Sequence, residues 1–235
     1  MGGLSQVKRV PGFLGRRITA FLETMNAKTE RSRMEKKLPE LRSYDQLANE
    51  ITNRLQPIYE KYITTISTGV MALSLESSVF MSVLCSIFQP RKILDLGSGF
   101  SSAVFRIYAE TANPKPHIYS IDDAPEWLEK TKEFIAGYQL EGGQFMTWDV
   151  FLEQNQNSFD FILHDLGSMV TREMLLPTVL SLVSTNGVVL LDDIHKTNYR
   201  KNAKRMVKET GLIYHNLKSY TLDGFNRYCA LVTTE

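Results

Sequence analysis

The chain has 235 residues and a net charge of +1, with 43% hydrophobic and 23% charged residues. This length suits one sizeable domain with additional elements, and the composition is ordinary for a globular protein. No apolar run approaches the roughly 18 residues that span a bilayer, and no signal-peptide pattern begins the chain. We therefore expect an intracellular, cytoplasmic protein, whose cysteines Cys85 and Cys229 are buried free thiols rather than a disulfide.

The first part of the chain predicts a helical accessory segment over residues 1–66. Apolar residues recur at helical spacing between Phe13 and Met25. A second helix is expected to open with a capping box at Ser43, and Pro57 should bend or end it. A third helix, which is nearly all apolar, is predicted from Leu75 to Phe88.

The basic residues are concentrated at the N-terminus. Residues 1–37 carry nine Lys and Arg against three acidic residues, an excess of six positive charges, and Lys8, Arg9, Arg16 and Arg17 are among them. We favour packing of this segment on its own domain or on a second subunit in a homodimer. The alternatives are contact with an anionic membrane surface, which would make the protein peripheral there, and nucleic acid, which the missing aromatic pattern disfavours.

After Pro90, short apolar strands alternate with amphipathic helices. The predicted strands are Lys92–Leu96, His117–Ile121, Gln144–Thr147, Phe159–His164, Gly187–Leu191, Leu212–Asn216 and Tyr228–Thr233. The predicted helices lie near Ser102–Glu110, Pro125–Ala136, Arg172–Val183 and Tyr199–Glu209. Such alternation indicates a doubly wound α/β fold over residues 67–235, with a mostly parallel, seven-stranded Rossmann-like sheet. The last strand should insert antiparallel, because no strong helix precedes it.

A glycine-containing turn, ILDLGSGFSS, follows the first strand at residues 93–102. The dinucleotide fingerprint needs a third Gly or Ala where this chain has Ser102. Asp95 would face a pyrophosphate unfavourably but suits a cationic ligand. Asp122, at the end of the next strand, can accept hydrogen bonds from two ribose hydroxyls. A ligand with a ribose and a cationic amino-acid portion, such as S-adenosylmethionine, fits both carboxylates.

Four strand-end motifs, KILDLGSGFSS, SIDD, FDFILHD and GVVLLDD, resemble those of the class I S-adenosylmethionine-dependent methyltransferases. The resemblance covers residues 70–235 and extends to the order and spacing of the motifs. It implies that S-adenosylmethionine is the cofactor. Trp148 is explained equally well as a core residue. The implied cofactor-binding residues are Asp95, Gly97, Ser98, Gly99, Ser101, Ser102, Asp122, Asp123, Trp148 and Asp149.

A second group of polar residues follows the fourth and fifth predicted strands: Asp165, Asp192, Asp193 and His195. This pattern is most similar to the O-methyltransferases of the catechol type and to related sugar and small-molecule enzymes, some of which bind a divalent cation. It implies Mg²⁺ at Asp165, Asp192 and Asp193, although Ile194 stands where the catechol type has an Asn ligand. Asp165 and His195 are the catalytic candidates. The alternatives are structural strand-end acids, a helix cap and a structural histidine.

The activity expected from this resemblance is O-methylation of a small-molecule hydroxyl by direct in-line transfer. A protein or RNA acceptor and a non-catalytic module of the same fold are the alternatives, and the acidic cluster favours an enzyme. Specificity is expected from the N-terminal helices, Thr68–Ser77, Ile194–Arg200 and the turn at residues 221–227. In that turn, Arg227 is expected either to anchor an anionic acceptor group or to form a surface ion pair.

Overall fold

The computed structural model describes residues 13–154 and 158–234, with side chains from residue 25 onward. The strands are Lys92–Leu96 (β1), His117–Asp122 (β2), Gln144–Thr147 (β3), Phe159–His164 (β4), Val183–Leu191 (β5), Ile213–Asn216 (β6) and Ala230–Thr233 (β7). The helices are Phe13–Lys37 (α1), Tyr44–Thr65 (α2), Leu75–Phe88 (α3), Phe100–Thr111 (α4), Pro125–Ala136 (α5), Trp148–Glu153 (α6), Met169–Ser181 (α7), Thr197–Glu209 (α8) and Lys218–Thr221 (α9). A 3-10 turn at Pro39–Ser43 separates α1 from α2.

The seven strands form one sheet in the order β3-β2-β1-β4-β5-β7-β6. All neighbours are parallel except β7, which pairs antiparallel with β5 and β6. The predicted doubly wound sheet with an antiparallel last strand is therefore confirmed. The direction of winding reverses between β1 and β4, and ligands of such sheets bind beyond the carboxyl ends of the strands at this switch point.

The sheet separates two hydrophobic clusters because successive side chains of a strand point to opposite faces. In β1, Ile93 packs into the cluster that includes residues of α3 and α4, and Leu94 packs into the cluster that includes residues of α7 and α8. The same alternation turns Asp95 toward α4. The fold thus determines which helix can contact this carboxylate.

The N-terminal helices share a core with the sheet. Met34 of α1 and Leu55 and Tyr62 of α2 lie in the same cluster as Ile93 of β1. Near the end of α1, Glu30 accepts a hydrogen bond from the backbone N–H of Ser219, at 2.6 Å. Packing on its own domain is therefore observed for the described side chains of α1.

The other interpretations of the basic segment remain predictions. Lys8 and Arg9, and the side chains of Arg16 and Arg17, lie outside the described part of the molecule. In the residues that are described, no helix is both long enough and apolar enough to cross a membrane. Cys85 and Cys229 are buried free thiols, as predicted.

The prediction that Pro57 bends or ends its helix is wrong about the ending, because α2 continues through Pro57 to Thr65. A proline removes the hydrogen bond to the carbonyl four residues earlier, which belongs here to Asn53. Both residues are exposed, so water can hydrate the freed carbonyl. Leu55 and Tyr62 anchor the helix on either side of the proline, each with 1% exposure.

Two other local predictions also need correction. Ser43 is the N-cap residue of α2, but its side chain makes no capping hydrogen bond. The helix expected at Arg172–Val183 begins earlier, at Met169, because the Ser168 side chain accepts a hydrogen bond from the N–H of Thr171 and caps it. Val183 belongs to the following strand β5. These shifts place Arg172 within the helix instead of at its start.

Candidate functional site

Asp95 is the centre of a hydroxyl network behind the glycine turn. It is opposite Ser120 in the parallel β1–β2 register, so both side chains face α4. Its Oδ1 accepts from Ser101 at 2.7 Å, and its Oδ2 accepts from Ser102 and from Ser120, the latter at 3.0 Å. Asp95 is completely buried. The hydroxyls of Ser101 and Ser102 are therefore turned inward, toward the carboxylate.

Arg106 provides the positive charge for this network. It lies one helical turn after Ser102 in α4, has 1% exposure, and donates to Ser120 Oγ at 3.0 Å. Its guanidinium also lies 4.1 Å from the ring centroid of Phe145. Burial raises the pKa of Asp95, and the serine hydroxyls and Arg106 oppose this shift. The negative charge of Asp95 is thus compensated within the protein. The contact of Asp95 with a cationic cofactor stays a prediction, as do the cofactor contacts of Ser101 and Ser102.

The backbone of the turn is held against the neighbouring strand ends. The N–H groups of Gly97 and Ser98 donate to the carbonyl of Ile121, at 2.9 and 3.1 Å. Gly97 has φ +99°, and a Cβ placed there would lie 2.6 Å from the carbonyl oxygen of Asp165. Glycine is required at this position by both conformation and space. The turn at β1 is consequently in direct contact with the end of β4.

Tyr62, which the sequence analysis missed, covers the second glycine from the N-terminal helix α2. A Cβ at Gly99 would lie 2.9 Å from the hydroxyl of Tyr62. Burial raises the pKa of Tyr62, and the carboxylates of Asp95, Asp122 and Asp165 raise it further. The only available sequence signal is that this tyrosine lies on the apolar face of a predicted helix.

Asp122 lies at the carboxyl end of β2, beside the turn. It accepts from Ser98 Oγ and from the N–H of Ala124, both at 3.1 Å. Burial raises the pKa of Asp122 to about 6. Trp127 of α5 donates to the carbonyl of Ser98 at 2.7 Å and flanks the turn on this side. The predicted position of Asp122 at this strand end is observed, and its contact with a ribose stays a prediction.

The remaining predicted cofactor residues follow β2 and β3. Asp123 is exposed and lies beside Gly167, whose Cβ position would be 3.1 Å from Oδ2. Trp148 is half-buried and stacks on Phe151 with a centroid distance of 5.4 Å, so part of it belongs to the core. Asp149 is exposed in the first turn of α6. Their contacts with a cofactor stay predictions.

The acidic residues after β4 and β5 come together as predicted. The parallel register pairs His164 with Leu191, so the residues that follow are neighbours. One carboxylate oxygen from each of Asp165, Asp192 and Asp193 lies within 4.8 Å of the others. Asp193 adopts a left-handed conformation with φ +56°, a strained geometry that occurs preferentially at functional sites.

A guanidinium lies among these carboxylates. Arg172 of α7 donates from Nη1 to Asp193 Oδ2 at 2.9 Å and forms an ion pair through Nη2 with Asp165 Oδ1. Burial lowers the pKa of Arg172, but Asp165, Asp192 and Asp193 outweigh burial and raise it. Three clustered carboxylates are a suitable donor set for Mg²⁺. However, Arg172 already engages two of them, so the residues as arranged do not fit the predicted divalent cation.

The two histidines of this region differ in access. His164 is fully buried, its Nε2 lies 3.0 Å from the carbonyl oxygen of Arg172, and burial lowers its pKa to about 4. His195 has a side-chain exposure of 20%, and its Nδ1 lies 3.3 Å from Asp193 Oδ1. Burial lowers the pKa of His195, while Asp193 opposes the shift. Of these two side chains, only that of His195 is open to an acceptor.

Arg227 joins two of the predicted specificity segments and forms an ion pair, as one of its two expected roles required, although the pair is buried and not at the surface. It pairs with the buried carboxylate of Asp223 at 2.7 Å. Its guanidinium also donates to the carbonyls of Gly69, Val70 and Ala72. The loop before α3 is thereby fixed to the turn before β7, and the hydrogen-bonding capacity of Arg227 is largely satisfied within the protein.

Comparison with known proteins places these features in context. Residues 87–227 match the family model described as a methyltransferase domain, which covers more than half of the chain. No curated protein matches the chain in sequence.

Several solved structures share the fold. S-adenosylhomocysteine-bound methyltransferase PaMTH1 from Podospora anserina has a TM-score of 0.60 and 14% identity over 77% of this chain and 87% of its own. An O-methyltransferase from Bacillus cereus, in complex with S-adenosylhomocysteine, has a TM-score of 0.57 and 15% identity, over 81% and 91%. O-methyltransferase TomG from Streptomyces achromogenes, involved in tomaymycin synthesis and bound to S-adenosylmethionine, has a TM-score of 0.56 and 14% identity, over 75% and 88%.

Proposed function

Because the chain belongs to the class I S-adenosylmethionine-dependent methyltransferases, we propose that it methylates a hydroxyl group of a small molecule. The observation that carries this proposal is the partly open cluster of Asp165, Asp193 and His195 beside the glycine turn. Two of the three structural neighbours named above are described as O-methyltransferases, which supports the choice of a hydroxyl acceptor.

In this proposal, the carboxyl ends of β1 to β3 hold the cofactor. The backbone of Gly97 and Gly99 borders the methionine portion, and Asp95 fixes the shape of the turn through its hydroxyl network. Asp122 accepts hydrogen bonds from the ribose hydroxyls. Asp149 binds the adenine amine, while the half-buried Trp148 contacts the ring.

The reaction is an in-line displacement at the methyl carbon. The acceptor oxygen forms a bond to the methyl carbon, the carbon–sulfur bond breaks, and its electron pair stays on sulfur to give S-adenosylhomocysteine. The proton of the hydroxyl passes to a side chain of the protein. Positioning of oxygen, carbon and sulfur supplies most of the acceleration, and proton removal contributes about 100-fold or more.

We propose His195 as the proton acceptor, with Asp193 Oδ1 lying 3.3 Å from its Nδ1. Asp165 is the second catalytic candidate, but its ion pair with Arg172 makes it less available as a base. Its proposed role is to hold the acceptor hydroxyl near the methyl group. The acceptor would enter beside the loop at residues 194–200 and the segments joined by Arg227.

The proposal is tested with labelled S-adenosylmethionine and a panel that pairs hydroxylated metabolites with amines of matched shape. We expect label transfer to hydroxyl compounds. His195→Asn should lower kcat about 100-fold and leave cofactor affinity unchanged, whereas His215→Asn, in the remote strand β6, should change neither.

Three outcomes would contradict the proposal in different ways. Absence of S-adenosylmethionine binding in calorimetry would remove the cofactor assignment. Binding without transfer to any acceptor would favour a non-catalytic module. Transfer to amines, proteins or RNA alone would leave the methyltransferase activity intact and reject the hydroxyl acceptor.

A further inference from the structure

We infer that the guanidinium of Arg172 takes the place of a divalent cation in the acidic cluster, so that the protein itself supplies the positive charge at the proposed methyl-transfer site. Occupation of the cluster by Arg172 does not depend on the identity of the acceptor. Only its consequence for turnover rests on the proposed O-methylation.

Local structure brings Arg172 to this position. The connection from β4 to α7 is short: Gly167, with φ +65°, turns the chain, and Ser168 caps the helix. Arg172 is the fourth residue of α7 and therefore lies directly above the strand end that it follows. Its own carbonyl is tied to His164 Nε2 at 3.0 Å, which fixes the backbone from which the side chain extends.

The contacts of Arg172 resemble the bridging contacts of a metal ion. One amino nitrogen binds Asp165 after β4, and the other binds Asp193 after β5. The planar fork of arginine is suited to such paired carboxylate contacts. With a side-chain exposure of 10%, the guanidinium is held in the cluster rather than in solvent.

A divalent ion would have to displace this group. Asp193 uses its Oδ2 for Arg172 and places its Oδ1 near His195, while Asp192 Oδ1 accepts from the thiol of Cys229 at 3.2 Å. These oxygens are therefore already used within the protein. A cation that entered the cluster would also be repelled by the fixed positive charge of Arg172 at close range. Arg172 is consequently a positioning residue, which holds Asp165 and Asp193 at a set separation.

The test measures Mn²⁺ binding by electron paramagnetic resonance in the full-length protein, as a probe for divalent cations. We expect the wild-type protein to bind Mn²⁺ more weakly than about 1 mM. Arg172→Met, which keeps the aliphatic stem, should bind it at least about tenfold more tightly, and the further change Asp193→Asn should reverse this gain. Added guanidinium ion should compete with Mn²⁺ in Arg172→Met, a result that a merely structural role of Arg172 would not give.

The matched control is Arg200→Met. Arg200 is an arginine of the next helix that donates to the carbonyl of Ile194 and to the Tyr228 hydroxyl, without contacting the cluster. It should leave Mn²⁺ affinity at the wild-type value. Far-ultraviolet circular dichroism verifies that each variant is folded, and Arg172→Gln, which also removes the positive charge, replaces Arg172→Met if that variant does not fold.

Two results would overturn the inference. The first is that the wild-type protein binds Mn²⁺ with a dissociation constant below about 1 mM and that Asp193→Asn abolishes this binding. The second is a folded Arg172 variant without any gain in Mn²⁺ affinity. Loss of methyl transfer in all proteins, with the Mn²⁺ results as expected, would reject the proposed O-methylation and leave the role of Arg172 intact.

Discussion

Two strand-end carboxylates of the sheet are each matched with an arginine from the helix that follows, but the two pairs differ in access. At β1, Asp95 and Arg106 are joined through the hydroxyl of Ser120, with exposures of 0% and 1%. At β4, Asp165 contacts Arg172 directly, and their side chains are 15% and 10% exposed.

This difference separates a group that shapes the site from one that can take part in its chemistry. The carboxylate of Asp95 is used by three serine hydroxyls, so it acts through the backbone of the turn. The Asp165 pair is reached by solvent and lies beside His195 and Asp193. Substitutions in the Asp95–Arg106 pair should therefore change the stability of the fold most. Substitutions in the Asp165–Arg172 pair should change ligand binding most.

The largest effect is expected for Arg106→Met. Removing this cation leaves the buried carboxylate of Asp95 without its charge partner, which should lower the free energy of unfolding by about 4 kcal/mol. Urea denaturation measures the change. The control is Arg54→Met in α2. It breaks an exposed ion pair with Glu110, which lies on α4 like Arg106, and should cost less than about 1 kcal/mol. Equal effects of the two variants would show that burial does not distinguish the pairs.

Gly97→Ala should rank next, because it strains the contact between the two regions. A Cβ there would lie 2.6 Å from the Asp165 carbonyl in a backbone with φ +99°, which should cost about 3 kcal/mol. Thermal unfolding and S-adenosylmethionine titration would both respond. Gly224→Ala, where a Cβ meets nothing within 4 Å, is the control, and a neutral Gly97→Ala would contradict the close contact.

The affinity for S-adenosylmethionine should depend on the protonation of Asp122. Burial raises the pKa of Asp122 to about 6, and only the ionised carboxylate accepts hydrogen bonds with both oxygens. Below this value the affinity should therefore fall, by up to about tenfold for each pH unit. Calorimetry between pH 5 and about pH 8 measures the profile. In Asp122→Asn this step should disappear, and its persistence would assign the titration to another group.

The smallest effect on stability is expected for Arg172→Met. Water reaches the carboxylates of Asp165 and Asp193 only partly, since they are 15% and 19% exposed, so the free energy of unfolding should fall by about 2 kcal/mol, which is less than for Arg106→Met. Urea denaturation beside Arg106→Met gives the ratio directly. A loss as large as that of Arg106→Met would show that both pairs act mainly by stabilising the fold.

The sheet and the strand-end acids could be predicted from the sequence because their signals are local. Each strand is an apolar run bounded by polar residues, and parallel strands bring their carboxyl ends to one edge. Asp95, Asp122, Asp165 and Asp193 therefore fall at that edge from their positions alone. Helix boundaries were less accurate, as at Ser168, where one hydroxyl decides the start of α7.

The partners of these acids could not be predicted, because they depend on where a helix side chain points after packing. Arg106 and Arg172 appear in the sequence as ordinary basic residues of amphipathic helices. Whether each turns toward the sheet or toward water is decided by the rotation of the helix on its core. Tyr62 depends on the placement of α2, a helix separated from the turn by more than 30 residues.

The position of Tyr62 has a consequence for the rate of cofactor exchange. Its hydroxyl lies at Gly99, on the surface that the cofactor is proposed to use, and its ring packs on Phe100 and Phe134 at centroid distances of 5.5 and 5.0 Å. Exchange of S-adenosylhomocysteine for S-adenosylmethionine would then require the end of α2 to move. We expect the pace of product release to be governed by a helix outside the sheet, so substitutions in α2 can change the speed of catalytic cycles without touching the reacting atoms.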